Sequence, residues 1–377
     1  MMPLSNRLSS VAPSQTTAFT ALVAAEREKG RHIIDLAVGE YPVPAPAAVV
    51  AETQAALSQG RTRYGPVAGL PALRDRLASR HTAAAENVII TNGAKQALFT
   101  IFQAICNPGG EVIIPTPCWV SFPQMVRLAG GRPVMVPCGP DHQLDIHGIR
   151  EAVSENTCAI LINTPNNPTG AVYLPSDMKA LAETAADRGI VLISDETYAD
   201  LVYDDRRHCS VSSLTETADH VILVGSFSKS YAMTGFRVGY AVAPAPLITA
   251  MTVIQSHACG NVCTFAQHGA LAALSLSPEH LLNLRVSLET RRDMALAVIQ
   301  KTMPCTPPQG AFYLFPEVSK YLPRGGSASG FCTDMLQRAG VALVPGEAFG
   351  APSHIRLSFA VDVKDLNEGL ERMMAHL

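Results

Sequence analysis

Val88-Ile89-Ile90-Thr91-Asn92-Gly93-Ala94-Lys95-Gln96-Ala97-Leu98 is the stretch on which the fold class turns. Aliphatic and β-branched residues make a short strand, Val88–Thr91, and the Asn-Gly pair breaks it. The Ala/Leu-rich run that follows reads as a helix continuing to Cys106. Outward from this corner the pattern repeats. Residues 111–114 read as a strand, 119–128 as a helix and 133–137 as a strand. Strands at 158–162 and 190–194 flank a helix around 177–187, and strands at 221–225 and 238–243 follow. Short β-branched runs alternating with helices predict an α/β fold: a mainly parallel, seven-stranded-type sheet covered by helices on both faces.

Upstream, a helical stretch at 17–29 leads into the apolar segment 33–37, after which Pro42, Pro44 and Pro46 break regular structure. Helices are expected at 47–58 and, from Gly69-Leu70-Pro71, to Arg80. Downstream, a helical stretch at 278–302 has the length of a domain connector. Beyond it, strands at 311–315, 341–344 and Ile355–Ser358 mix with helices at 331–339 and 363–375. The expected division is an N-terminal arm with part of a small domain (1–45), a large domain (46–285) and a small α/β C-terminal domain (286–377). The arm is expected to pack on the small domain. Apolar residues make up 47% and charged residues 16%, which excludes a disordered chain. A net charge of −3 marks no nucleic-acid or membrane surface. No apolar run is long enough to span a bilayer, and residues 1–20 lack the layout of a secretory signal. Nine scattered cysteines form no CxxC pair and the histidines form no HExxH pattern, so reduced thiols, a cytoplasmic location and no metal are expected.

Several motifs sit where strands end, the place where open α/β sheets bind ligands. Ser226-Phe227-Ser228-Lys229 follows the strand at 221–225, and Lys229 is one of only seven lysines. A buried amine has a lowered pKa and becomes a nucleophile for carbonyls; a surface lysine in a serine-rich loop reads the same way. Arg237, at the start of the next strand, suits an anion site with Ser226 and Ser228, or an ordinary surface position. Asp195 directly follows the strand at 190–194, within Ser194-Asp195-Glu196-Thr197-Tyr198. A carboxylate there pairs with a cation in the crevice or caps the next helix. Asn166-Asn167-Pro168-Thr169-Gly170 is a turn.

Taken in order, these segments resemble the class I aminotransferases of pyridoxal 5'-phosphate (PLP) fold type I, and within them the bacterial aspartate- and prephenate-type branch. The resemblance spans nearly the whole chain. It also rests on Arg63-Tyr64-Gly65, Pro117-Cys118-Trp119-Val120, Gly310-Ala311-Phe312-Tyr313 and Ile355-Arg356-Leu357-Ser358. It implies that Lys229 holds the cofactor as a Schiff base and then moves the proton between the substrate Cα and the cofactor C4′. Asp195 would keep the pyridine nitrogen protonated, so that the ring is an electron sink. Asn167 and Tyr198 would bond the phenolic oxygen, and Trp119, the only tryptophan, would stack on the ring. Ser226, Ser228, Arg237 and the backbone at Gly93 and Ala94 would hold the phosphate, aided by a helix N-terminus. Tyr64 matches a tyrosine that reaches a neighbouring subunit's phosphate, which implies a homodimer with shared active sites. Arg356 matches the arginine that grips the substrate α-carboxylate. Lys95 matches a lysine whose ammonium helps bind a distal carboxylate, favouring acidic donors, or else it contacts the phosphate.

The match loosens around the substrate. The loop carrying Gly39 reads Gly39-Glu40-Tyr41-Pro42 where relatives have Gly-x-Pro, Cys118 replaces a common tyrosine, and 256–264 diverges, although Thr264 still offers a hydroxyl across a dimer. The leading function is therefore transamination between an amino acid and a 2-keto acid. The alternative on the same scaffold is a PLP lyase acting by β-elimination at a cysteine-like substrate. A non-enzymatic ligand sensor would carry a DNA-binding segment, which the 377 residues do not contain.

Overall fold

The computed structural model describes residues 5–13, 15–213, 219–322 and 326–377. Residues 1–4, expected as the start of the arm, lie outside the described residues. Helix α1 (Gln15–Glu28) leads to strand β1 (Ile34–Asp35), and α2 (Ala47–Ser58) and α3 (Pro71–Arg80) follow. The alternation then begins with β2 (Val88–Thr91), α4 (Ala94–Ile105), β3 (Glu111–Thr116), α5 (Ser121–Leu128) and β4 (Arg132–Pro137). It continues through α6 (Ile146–Glu151), β5 (Thr157–Asn163), α7 (Pro175–Arg188), β6 (Val191–Asp195), β7 (Val221–Ser226) and β8 (Gly239–Val242). Next come α8 (Ala245–Ala258), α9 (Thr264–Ala273), α10 (Pro278–Ile299), β9 (Tyr313–Leu314) and α11 (Ala328–Asp334). The chain closes with β10 (Val341–Ala342), β11 (Val344–Pro345), β12 (Ile355–Ser358) and α12 (Val363–Met374).

Strands β2 to β8 form one seven-stranded sheet in the order β2-β8-β7-β6-β5-β3-β4. The pairs from β4 through β7 are parallel, and β8 runs antiparallel to both neighbours. Both faces are covered, which is why the strands read as apolar runs instead of alternating with polar residues. Successive residues nonetheless serve opposite cores. Val88, Ile90, Ile160, Ile162, Val221 and Leu223 join one cluster, with Leu73 of α3 and Leu181 of α7. Ile89, Ala159, Leu161, Ile222 and Val224 join the other, with Leu98, Ile101 and Phe102 of α4. The helical spacing of those α4 residues puts its apolar stripe on the sheet.

A third cluster brings Phe19, Val23, Ile34 and Leu36 together with Leu288, Ile299, Phe331, Leu336 and Leu370. The arm thus packs against the C-terminal segments, and β1 pairs in parallel with β10 through Ile34↔Val341. Separately, β11-β12-β9 form an antiparallel sheet.

Some boundaries differ from expectation. The strand expected at 311–315 shrinks to β9, because Gly310 N donates to the Gly170 carbonyl and Ala311 N to the Leu201 carbonyl instead. Ala311 sits at φ 56°, outside strand geometry. The strand expected at 341–344 splits, since β10 pairs with β1 while β11 pairs with β12. The helix expected at 331–339 starts earlier, as α11, and widens into a π-type turn over Met335–Ala339. Asp195 is the last residue of β6 and not the first beyond it. Arg237 precedes β8, in a left-handed conformation.

Candidate active site

The C-terminal ends of β2, β5, β6 and β7 meet the start of β8 on one edge of the sheet. They deliver the 92–95 corner, Asn163, Asp195, Ser226 and the 226–229 turn to a cavity of about 620 Å³. Its opposite side is built by Asp35 of β1 and Gly39 beyond it, Tyr313 of β9 and Arg356 of β12. Twelve sequence-predicted residues line this one space: Gly39, Ala94, Lys95, Trp119, Asn167, Asp195, Tyr198, Ser226, Ser228, Lys229, Arg237 and Arg356. Gly93 is not among them, although it adjoins Ala94 and packs against Arg237. Tyr64 does not reach the cavity and is 99% exposed.

The corner is shaped for an anion. Gly93, at φ 78°, precedes the first turn of α4, where the Ala94 and Lys95 N–H groups come before the first carbonyl that the helix is able to offer them. A Cβ on Gly93 would come within 2.6 Å of Arg237 Nη2, and one on Gly239 within 2.5 Å of the Ala94 nitrogen. Both positions therefore need glycine for the guanidinium and the helix start to converge. Arg237 donates to the carbonyls of Thr234 at 2.8 Å and Asn92 at 3.3 Å, which leaves its charge uncompensated by them. Ser226 Oγ accepts from Ser228 N at 3.1 Å and folds the serine turn toward the same place. Lys95 Nζ stands 5.0 Å from the Trp119 ring. Desolvation, with the neighbouring Arg237 charge, holds the Lys95 ammonium below the usual lysine range.

Deeper in, Asp195 is 5% exposed, and its Oδ1 accepts from Thr197 N at 3.1 Å. Burial pushes its carboxyl up to about 6. Asn163 donates to the Asp195 carbonyl at 2.9 Å, and Asn163 Oδ1 accepts from Asn167 N at 2.9 Å, so β5, β6 and the 166–170 turn are tied together. Asn166 closes that turn by accepting from Thr169 N and Thr169 Oγ1 at 3.1 and 2.9 Å. Lys229 Nζ donates to the Gly39 carbonyl at 2.5 Å. Desolvation lowers its ammonium to about 8, opposed by the Glu40 charge. The hydroxyls of Tyr198 and Tyr313 are 2.8 Å apart, and burial raises both phenols.

Arg356 is 4% exposed and held by neutral groups. It donates to Asn167 Oδ1 at 2.9 Å and to the Ala37 carbonyl at 2.8 Å, its guanidinium lies 4.3 Å from the Tyr313 ring, and its Nε is buried without a partner. A buried guanidinium with no carboxylate among its partners is costly, and it is suited to a ligand that brings the anion.

Several lining residues carried no role in the sequence reading. Tyr313 ends the Gly310-Ala311-Phe312-Tyr313 motif. Asn163 is a polar residue ending an apolar strand, three positions before the Asn166 turn, which is a usable signal. Glu40, Asp35 and Thr197 gave none that separates them from surface residues.

The residues fit PLP group by group: a corner for a phosphate, a buried carboxylate for a ring cation, and a desolvated amine for an aldehyde. With the seven-stranded sheet, this defines a PLP-dependent enzyme of fold type I. The family described as aminotransferase class I and II matches residues 31–373, and the chain belongs to it. A probable aspartate/prephenate aminotransferase of Aquifex aeolicus is 40% identical over 98% of this chain and 97% of that protein. An aspartate aminotransferase of Bacillus subtilis is 36% identical over 99% of this chain and 98% of its own length. The solved aspartate aminotransferase from Thermus thermophilus with maleate superposes with a TM-score of 0.95 at 37% identity, covering 100% of both chains. The protein is a PLP-dependent aminotransferase acting on amino acids and 2-keto acids. This similarity supports amino-group transfer and not the elimination alternative.

Proposed function

We propose that the enzyme exchanges amino groups between acidic amino acids and 2-keto acids, with Lys229 as the covalent anchor and proton carrier of a cytoplasmic homodimer. One observation carries the reading: the desolvated Lys229 amine, the buried Asp195 carboxylate and the Arg356 guanidinium, held by neutral groups alone, all face one cavity. When bound, PLP supplies an aldehyde that condenses with amines and a ring that takes up the electron pair left at the substrate Cα.

Asp195 would hold the proton on the ring nitrogen, since a carboxylate in a poorly hydrated site strongly favours an adjacent cation. Gly93, Ala94, Ser226, Ser228 and Arg237 would hold the phosphate. Asn167 and Tyr198 would bond the phenolic oxygen, and Trp119 would cover the ring face. Arg356 would take the substrate α-carboxylate, fixing the Cα–H bond perpendicular to the ring. Lys229 would carry the proton from Cα to C4′, its lowered pKa suiting a base near neutrality.

The acidic preference rests on Lys95 at the rim and on relatives whose names specify aspartate. The Thermus structure is that of an enzyme with maleate, a dicarboxylate. The dimer reading rests on Tyr64, a fully exposed aromatic on a loop whose Arg63 carbonyl accepts from Thr264 Oγ1 at 3.2 Å. Thr264 would then lend a hydroxyl across the interface. The division into 1–45, 46–285 and 286–377 is supported by the separate core shared by the arm and the C-terminal segments. Nine unpaired thiols fit a reducing cytoplasm. No helix of the described residues is long and apolar enough to cross a membrane.

Borohydride reduction of the holoenzyme followed by tryptic mapping tests the anchor. The cofactor mass should appear on a single peptide containing Lys229; its recovery on another lysine, or on none, sinks the assignment.

A further inference from the structure

Cys106 and Cys158 take no part in the active site, yet their sulfurs face each other at 3.8 Å. Cys106 caps the C-terminal end of α4, and Cys158 is the second residue of β5. Both are partly exposed, so a small oxidant can reach them. Neighbouring glycines leave the sulfurs room: a Cβ on Gly131 would come 3.3 Å from Cys106 Sγ, and one on Gly110 3.7 Å from Cys158 Sγ. The exposed Cys259 is different, because its sulfur accepts from Asn92 and Gln96 and faces no thiol.

We propose that Cys106 and Cys158 form a modification site, a dithiol that a hydroperoxide converts to an intramolecular disulfide. Either thiol is able to donate to the other, and the Cys158 thiol also donates to the Glu111 carbonyl at 3.2 Å. One of the two, as its thiolate, attacks the peroxide: an S–O bond forms and the O–O bond breaks, the sulfur loses two electrons, the peroxide gains them, and the departing alkoxide takes up the proton that this thiol released. The other thiol then attacks the oxidised sulfur, the S–S bond forms, the S–O bond breaks, and hydroxide leaves with the second thiol's proton as water. In sum, two thiols and one hydroperoxide give one disulfide, one alcohol (water, for hydrogen peroxide) and one water. The sulfurs must approach by roughly 1.8 Å to reach bonding distance.

The bond would join two elements that serve the site at their other ends, since α4 begins at the Gly93 corner and β5 ends at Asn163. It also closes a separation of 52 residues, which restricts the unfolded chain.

The test treats the holoenzyme with a small excess of hydrogen peroxide, alkylates remaining thiols, and digests with trypsin and a glutamyl endopeptidase. Cleavage after Glu111 separates Cys106 from Cys118. The expected result is a cross-linked peptide joining Cys106 to Cys158, about 2 Da lighter than its parts and released by dithiothreitol. The oxidised enzyme should melt at a higher temperature. Cys106→Ser and Cys158→Ser should each abolish the cross-link and stop the reaction at a dimedone-trappable sulfenic acid on the remaining cysteine. Full alkylation of both cysteines under conditions that oxidise Cys259, or a cross-link to a different partner, overturns the proposal.

Discussion

One wall of the cavity is made where β2, β5, β6 and β7 end, and each polar group there leaves a buried strand. The facing wall comes from β1, β9 and β12, elements of two to four residues. On the first wall side chains bond the strand ends to one another: Asn163 joins Asp195 to Asn167, and Thr197 bonds the Asp195 carboxylate. On the second, main-chain carbonyls hold the two reactive cations, Gly39 taking Lys229 and Ala37 taking Arg356. A carbonyl is a weak, neutral partner for a charge, and an anion or a covalent bond displaces it readily. The sheet wall is therefore fixed before any ligand arrives, while the facing wall offers contacts meant to be exchanged.

The largest effects should come from the fixed wall. Lys229→Ala removes the desolvated amine that shares the cavity with Asp195 and should lower kcat by about 10⁴-fold, the upper end for a lost acid–base group. The variant should keep its circular dichroism and lose the absorbance of the bound cofactor imine; turnover near the wild-type rate would remove Lys229 from the chemistry. Asp195→Asn keeps the shape and most of the hydrogen bonding but not the charge. Cofactor should remain bound while the rate of Cα deprotonation, read by isotope exchange, falls by about 10²-fold. An unchanged exchange rate would mean that the first wall positions the ring without tuning it.

The two walls also differed in legibility. Gly93, Asp195, Ser226 and Lys229 each sit within a few residues of an apolar strand, and the strand end alone places them on one edge of the sheet. The facing wall depends on pairings that no local pattern encodes. Leu343 looked like strand interior, yet it is the step between β10 and β11, which pair with different partners. Tyr313 reaches Tyr198 across 115 positions, and Arg356 reaches Ala37 across 319. Helix α9 is illegible in the sequence for another reason. The face that α9 buries is made of Ala266, Gln267, Gly269, Ala270 and Ala273, small or polar residues that give no apolar stripe.

The pKa of Lys229 sharpens the comparison, because it measures how weakly the second wall holds the amine. In the cofactor-free protein that amine titrates at about 8, lowered by desolvation. Only the neutral form attacks a carbonyl, so capture requires pH near or above that value. Raising pH from 7 to 9 should increase the rate of cofactor capture about tenfold, with a plateau beyond. Stopped-flow absorbance of apoenzyme mixed with PLP reads this directly. A rate that keeps climbing past pH 10 would describe an ordinary solvated lysine.

The smallest expected effect belongs to Lys95, which stands at the junction of the two walls. Its ammonium lies 5.0 Å from Trp119 and is held below the usual range by desolvation and Arg237. A carboxylate arriving nearby would favour its charged form. If Lys95 reads the distal carboxylate, Lys95→Ala should lower kcat/KM for aspartate or glutamate while sparing alanine. The pair is open to solvent at the rim, so the contribution is about 1 kcal/mol, or roughly fivefold. If Lys95 instead supports the phosphate corner beside Arg237, the loss should be equal for all three donors and accompanied by weaker cofactor retention on dialysis. Measuring kcat/KM for the three donors, with retained cofactor determined in parallel, separates these outcomes. An equal loss would make Lys95 part of the fixed phosphate corner and leave the acidic preference without a residue to carry it.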